Sequence, residues 1–184
     1  MSKFTKAAII NSFMKLLSEK SFDDISVKDI VNECGINRNT FYYHFSDIYA
    51  LVDEVLQGEI NKIVQDHQPY QSWNEGFLSA ADFGLKNKKA ILHLHHSAQC
   101  YQLQKYFQKV VYDVVASFVE LEAENIGISD KNKAFVAEFY TFALQGFVNK
   151  WLDNGMKDDF EDVLSKAGLL FQSNIKQVID LLNK

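Results

Sequence analysis

Between positions 37 and 44 the chain carries two amides, a guanidinium, a hydroxyl, two phenols and an imidazole: Asn37, Arg38, Asn39, Thr40, Tyr42, Tyr43 and His44. These groups suit recognition by hydrogen bonding better than bond breaking. Arginine pairs bidentately with guanine and asparagine with adenine, while tyrosine, histidine and hydroxyl groups donate to phosphate. A solvated polar helix would carry many of the same groups, but it seldom exposes two adjacent tyrosines. Other reactive side chains are sparser. His93 and His96 stand three apart and would share a helix face, as two imidazole ligands require. No acidic residue lies close by in sequence to complete a ligand set, although Cys100 follows His96 by four. The expectation is no metal and no cofactor, with a metal-responsive protein using His93 and His96 as an alternative. Neither Cys34 nor Cys100 has an evident base partner, and no glycine-rich phosphate loop is present, so an enzyme is not expected.

The elements that would position residues 37–44 are legible around them. Ser26 reads as an N-cap, with Asp29 three residues later as in a capping box. Val27, Ile30 and Val31 give the following short helix one apolar face. Cys34-Gly35 should end it, since glycine adopts the left-handed conformation of a helix terminus. A second short helix restarts near Asn37, with Ile36, Phe41 and Phe45 turned inward and the polar set turned outward. A first helix over 3–19, buried through Ile9, Phe13, Leu16 and Leu17, completes a helix-turn-helix pattern. A capping pair, Ser46-Asp47, then opens a helix to about residue 65. The only proline lies in a break at 67–72. Further helices are expected over 73–87, 90–97 and 102–125, then 131–154 and 160–182, with a turn at Gly127 and Ser129-Asp130. The helix over 131–154 is apolar on nearly all sides, which implies burial against more than one neighbour.

Composition sets the outer limits. The chain has 184 residues, 47% of them hydrophobic, with one proline and no period-two segment, which points to an all-α fold with a sizeable core. Two isolated cysteines imply no disulfide framework, and neither a signal peptide nor an 18-residue apolar run is evident. A cytoplasmic protein with no membrane partner is expected. The net charge of −5 argues at first against a nucleic-acid partner. Residues 1–46, however, hold six basic side chains (Lys3, Lys6, Lys15, Lys20, Lys28, Arg38) against five acidic ones. The acidity belongs to the remainder. Arg38, the only arginine, falls in the polar set.

Residues 4–56 resemble the DNA-binding domain of TetR/AcrR transcriptional regulators, through Ser26-Val27-Lys28-Asp29-Ile30, Cys34-Gly35-Ile36-Asn37 and Thr40-Phe41-Tyr42-Tyr43-His44-Phe45. The resemblance implies an all-α homodimer. An N-terminal three-helix bundle with the helix-turn-helix (1–46) would be joined by a connecting helix (47–65) to a larger helical effector-binding and dimerisation domain (66–184). It places Ser26 against a phosphate and Lys28 within reach of a base or phosphate. Asn37, Arg38 and Asn39 would face the major groove, and Thr40, Tyr42, Tyr43 and His44 would hold the backbone. Ile48 departs from the pattern, because many members have a phosphate-binding lysine there. That contact is either missing or supplied by Lys3, Lys6 or another residue.

The run Phe139-Tyr140-Thr141-Phe142-Ala143-Leu144-Gln145-Gly146 with Trp151-Leu152-Asp153-Asn154-Gly155-Met156 is more loosely similar to regulators related to the dihydroxyacetone-kinase operon activator. Activation and repression both stay open. An effector cavity would draw on Phe77, His95, Tyr101, Phe107, Tyr112, Phe139, Phe142 and Gln145, although aromatics at helical spacing more often fill a core. A dimer interface would draw on Phe147, Trp151, Leu164, Ala167, Phe171, Ile175 and Val178 of the last two helices. The expected partners are therefore double-stranded operator DNA, a second copy of the chain, and an unidentified small-molecule effector or co-regulator. The alternative is a helical accessory protein with weakened DNA binding.

Overall fold

The computed structural model describes residues 2–66, 73–123 and 128–182, so the expected proline break and the Gly127 turn lie outside the described residues. The helices are α1 (Ser2–Glu19), α2 (Val27–Cys34), α3 (Arg38–His44), α4 (Ile48–Asp66), α5 (Trp73–Lys86), α6 (Lys88–His95), α7 (Cys100–Ala123), α8 (Asp130–Asp153) and α9 (Phe160–Leu182). A single 3-10 turn, Phe22–Asp24, separates α1 from α2, and no strand occurs among the described residues. No described helix is long and apolar enough to cross a membrane.

The first three helices close around Ile9, Phe13, Leu17, Phe22, Ile30, Phe41 and Phe45, all buried. α7 organises the larger part: ten of its residues, from Leu103 to Ala123, are buried, and it packs against α4, α5, α6, α8 and α9. Lys133 of α8 pairs with Glu120 of α7 at 2.8 Å, and the Asn132 amide donates to the Leu182 carbonyl at 2.7 Å. α8 thus runs antiparallel to both α7 and α9.

The α8–α9 turn is fixed by local chemistry. Gly155 and Met156 both adopt positive φ, 67° and 54°, which is uncommon for a methionine. Burial of the Met156 side chain offsets that cost, and Lys88 Nζ donates to its carbonyl at 3.0 Å. Trp151 stacks on Phe160 at 4.6 Å while its indole N–H donates to the Asp158 carbonyl.

Head and body are joined by more than α4. His93 Nδ1 lies 2.7 Å from the Leu17 carbonyl, so that nitrogen carries the proton and donates. The Asp23 carboxylate accepts from the Ala98 amide just before α7, at 3.2 Å. A continuous buried apolar cluster runs through both parts.

Candidate nucleic-acid interface

Three N-caps and a C-terminal glycine set the reading elements in place. Ser26 Oγ accepts from the Asp29 amide at 3.3 Å and Asp29 accepts from the Ser26 amide at 2.9 Å, a complete capping box on α2. Gly35 ends α2 in the left-handed region at φ 71°, where a side chain would strain the backbone. Asn37 then caps α3, its Oδ1 accepting from the Thr40 amide at 2.8 Å and the Thr40 hydroxyl at 3.1 Å. Asp47 opens α4 by accepting from the Ala50 amide at 2.8 Å. Each bond satisfies an amide that the first helical turn would otherwise leave unpaired.

Hydrogen bonds from the Ser26 hydroxyl and then the Ser26 amide, with Lys20 adding less, hold the Asp29 carboxyl down at about 2 from its ordinary 3.8. A depressed carboxyl stabilises the fold fully above its unfolded value and loses that contribution as pH falls through the folded one. The capping box should therefore weaken between about pH 4 and pH 2. Asp29→Asn is expected to flatten the fall in melting temperature across that interval, measured by circular dichroism. A slope as steep as that of the native protein would show that other carboxylates control it.

Phe41 and Phe45 point α3 inward, with ring centroids 5.8 Å apart. Its outer face is open: Tyr42 is 53% and Tyr43 79% exposed, and Arg38 and Asn39 are exposed as well. The side chains of Arg38, Asn39 and Lys28 make no hydrogen bond or ion pair among the described residues. The polar residues thus divide by geometry. Ser26, Asn37 and Thr40 use side-chain oxygens in caps, Arg38, Asn39, Tyr42, Tyr43 and Lys28 face solvent, and half-buried His44 lies against Tyr43 at 5.1 Å. Ile48 is half-buried against the core. Lys6 pairs with Glu54 at 2.7 Å and lies over the Phe45 ring, while Lys3 is exposed. Phe4, 84% exposed beside Lys3, escaped the sequence reading because it falls off the apolar face of α1.

Among the described residues, those expected around an effector are spread over several places rather than one described cleft. Tyr112 and Phe142 line a cleft of about 280 Å³ with Lys105, Lys109 and Glu138. Phe107 is buried and Tyr101 is exposed beneath the Lys105 ammonium. His95 Nε2 donates to Asp153 at 2.9 Å, and the Gln145 amide donates to the Gln104 carbonyl at 3.4 Å. Phe139 lies on the other side of α8, and the side chain of Phe77 is outside the described residues. His93 is committed to Leu17, and no group of three metal-ligating side chains occurs among the described residues.

The residues expected at a dimer interface divide likewise. Trp151, Leu164, Phe171 and Ile175 are buried within their own subunit, Ala167 and Val178 are half-buried, and Phe147 is exposed. Four α9 or α8 anchors therefore act as internal packing. Facing outward with Phe147 are residues outside that expected set: Phe135, Phe139, Phe142, Leu169 and Leu170. The expectation that α8 is buried against more than one neighbour holds, since it packs on α7 and on α9, although its apolar surface is not covered all round. One of its faces is buried on α7 and α9, and the other is open. Between α8 and α9 lies a largely apolar groove of about 350 Å³ lined by Phe139, Ala143, Phe147, Val163 and Leu170. Gly146 adds a flat spot, since a Cβ there would meet nothing within 4 Å.

A three-helix reading head with an open, polar third helix, carried on a larger helical body, defines a helix-turn-helix DNA-binding regulator. Residues 9–55 match the model described as bacterial regulatory proteins, tetR family, and residues 71–173 match the transcriptional regulator C-terminal region. The chain belongs to the TetR family of transcriptional regulators. It is similar to the dhaKLM operon transcriptional activator DhaS of Lactococcus lactis, 21% identical over 181 residues, spanning 95% of this chain and 92% of that protein. The head alone is similar to EthR of Mycolicibacterium smegmatis, 36% identical over 56 residues, 28% of this chain and 26% of that protein. Among solved structures, the dihydroxyacetone kinase operon activator DhaS aligns with a TM-score of 0.76 at 19% identity, covering 94% of this chain and 96% of that one. A TetR regulator from Streptococcus agalactiae aligns with a TM-score of 0.61 at 20% identity, covering 92% and 94%.

Proposed function

We propose that the protein is a homodimeric regulator that binds a palindromic operator in the cytoplasm and is controlled by an effector or co-regulator in residues 66–184. The observation that carries the reading is the outer face of α3, where Arg38, Asn39, Tyr42 and Tyr43 stand free beyond a glycine turn while Phe41 and Phe45 fix the helix from below. Ser26, Asn37 and Thr40 hold the two helix starts in shape and keep their amides and hydroxyls near the phosphates. His44 supports Tyr43. The open apolar face of α8 and α9 supports pairing of two subunits, since an unpartnered patch of aromatics on a soluble protein marks an interface. Two heads on one two-fold would meet major grooves about 34–36 Å apart. Residues 1–46 read, 47–65 transmit, and the effector must prefer one head spacing, because a ligand indifferent to both shifts nothing.

Binding to a duplex carrying the intergenic DNA beside its own gene tests the reading. Affinity should fall with salt, steeply enough to report a few phosphate contacts per head. Arg38→Ala should cost about 1–3 kcal/mol and relax preference at one base position per half-site. Equal weakening on every sequence would make Arg38 a phosphate contact. No binding at low salt would favour the accessory-protein alternative.

A further inference from the structure

We propose that the cleft between α4 and α7 is a binding site for a small zwitterion of the amino-acid type. The inference rests on the reading of the protein as effector-controlled and gives that effector a place and a chemistry. The cleft encloses about 460 Å³, within the range of about 300–1,000 Å³ typical of small-molecule sites. Its walls carry opposite charge. α4 contributes Asp53 and Glu54, and α7 contributes Lys105 and Lys109. Glu54 is already paired with Lys6, which leaves Asp53 as the open carboxylate.

Among the described residues no ion pair crosses from one wall to the other, although an acid and two bases line the same space. Such a gap suits a molecule that brings its own ammonium to Asp53 and its own carboxylate to the two lysines. A simple anion would leave Asp53 unanswered and near its charge. A simple cation would leave both lysines so.

Between the charged walls lie two polar atoms that nothing in the protein satisfies. Tyr106 is only 3% exposed, and its hydroxyl has no hydrogen-bond partner among the described residues. Gln102 Oε1 is in the same condition. Buried polar groups are nearly always paired, so two orphans lining one cleft mark a position where a ligand or ordered water is missing. Burial, reinforced by Glu59, pushes the Tyr106 hydroxyl well above its ordinary value, so it stays a neutral donor. A carboxylate oxygen can accept from it, and an ammonium proton can reach Gln102 Oε1. Lys105 is held ready by the Tyr101 ring, 4.7 Å from its ammonium. Because the cleft is walled by the helix that leads into the head, closing it draws α4 toward α7.

The test measures melting temperature of the full-length protein, without DNA, in the presence of each proteinogenic L-amino acid in turn at millimolar concentration. At least one is expected to raise it, as a ligand that binds only the native state must. For that amino acid, calorimetry on its N-acetyl and carboxamide derivatives, each lacking one charge, should show at least tenfold weaker binding. Tyr106→Phe and the double variant Lys105→Met with Lys109→Met should each lose tenfold or more while melting near the native temperature. No shift from any amino acid overturns the proposal, as does equal binding of either derivative or unchanged binding by both variants. Operator binding is scored separately. A protein that takes the amino acid but ignores DNA refutes the regulator reading and leaves the cleft standing, and the reverse result does the opposite.

Discussion

Phe139→Glu combined with Phe147→Glu is expected to turn a dimer into a folded monomer and to weaken operator binding by about 10²–10⁴-fold, the scale on which linking two binding modules adds affinity. Both rings lie on the open face of α8, Phe139 being 60% exposed in the single chain, so the substitutions remove little internal packing. Circular dichroism should change little. In a two-fold interface each change occurs twice. Four buried aromatics become four carboxylates that must lose water against an apolar partner and repel one another. An aromatic anchor at such a centre contributes on the order of 2 kcal/mol or more. Micromolar dimerisation amounts to only about 8 kcal/mol in total, so losing even a few kcal/mol of it leaves mostly monomer at micromolar protein. Sedimentation velocity at micromolar protein decides the matter. An unchanged dimer would move the interface away from this face, and a native operator affinity in a monomer would remove the need for two heads.

Phe41→Ala should have the largest effect on the fold of the head. The ring is fully buried, meets Phe45 and the edge of Tyr42, and closes the joint between α2 and α3. Truncating a buried phenylalanine costs about 3–5 kcal/mol, through lost transfer energy and an unfilled cavity. That is a large share of the roughly 5–15 kcal/mol by which a protein is stable. The midpoint should fall by roughly 6–20 °C for a chain of this length. Hydrogen exchange should show the α3 amides opening well before those of α7. Tyr43→Ala, on the opposite face, should change the midpoint little and weaken DNA binding. If Phe41→Ala melts within a degree or two of the native protein, α3 is not held by this contact.

The local features were readable before the fold because neighbours in sequence produce them. Ser26 and Asp29 form their capping box within one turn, Gly35 needs only its own φ, and α9 begins and ends where its apolar spacing does. Two kinds of information were not local. α8 is apolar on both sides, so nothing in its own residues tells the face packed on α7 from the face left open. In α9 the evenly spaced series through Leu164, Phe171 and Ile175 marks the inner side, and the outward leucines 169 and 170 stand off it. Polar identity was ambiguous too. Asn37 and Thr40 are suited to bases, phosphates or caps alike, and only the backbone path shows their oxygens spent on a cap. The α4–α7 cleft left no trace in sequence, because lysine and glutamine at helical spacing read as solvated surface. Asp53 and Lys105 come to line one cleft only through the packing of two helices about fifty residues apart.

The division of α3 into an anchored side and an open side has an evolutionary consequence. Surface substitutions that touch no partner usually change stability by less than about 0.5 kcal/mol. The side chains of Arg38 and Asn39 make no hydrogen bond within the described residues, so a gene copy can exchange them without compensating repairs elsewhere. With Arg38 and Asn39 reading base edges as proposed, descendants of this chain can acquire new target sequences in one or two steps. The lineage inherits a fixed frame and a freely rewritten address.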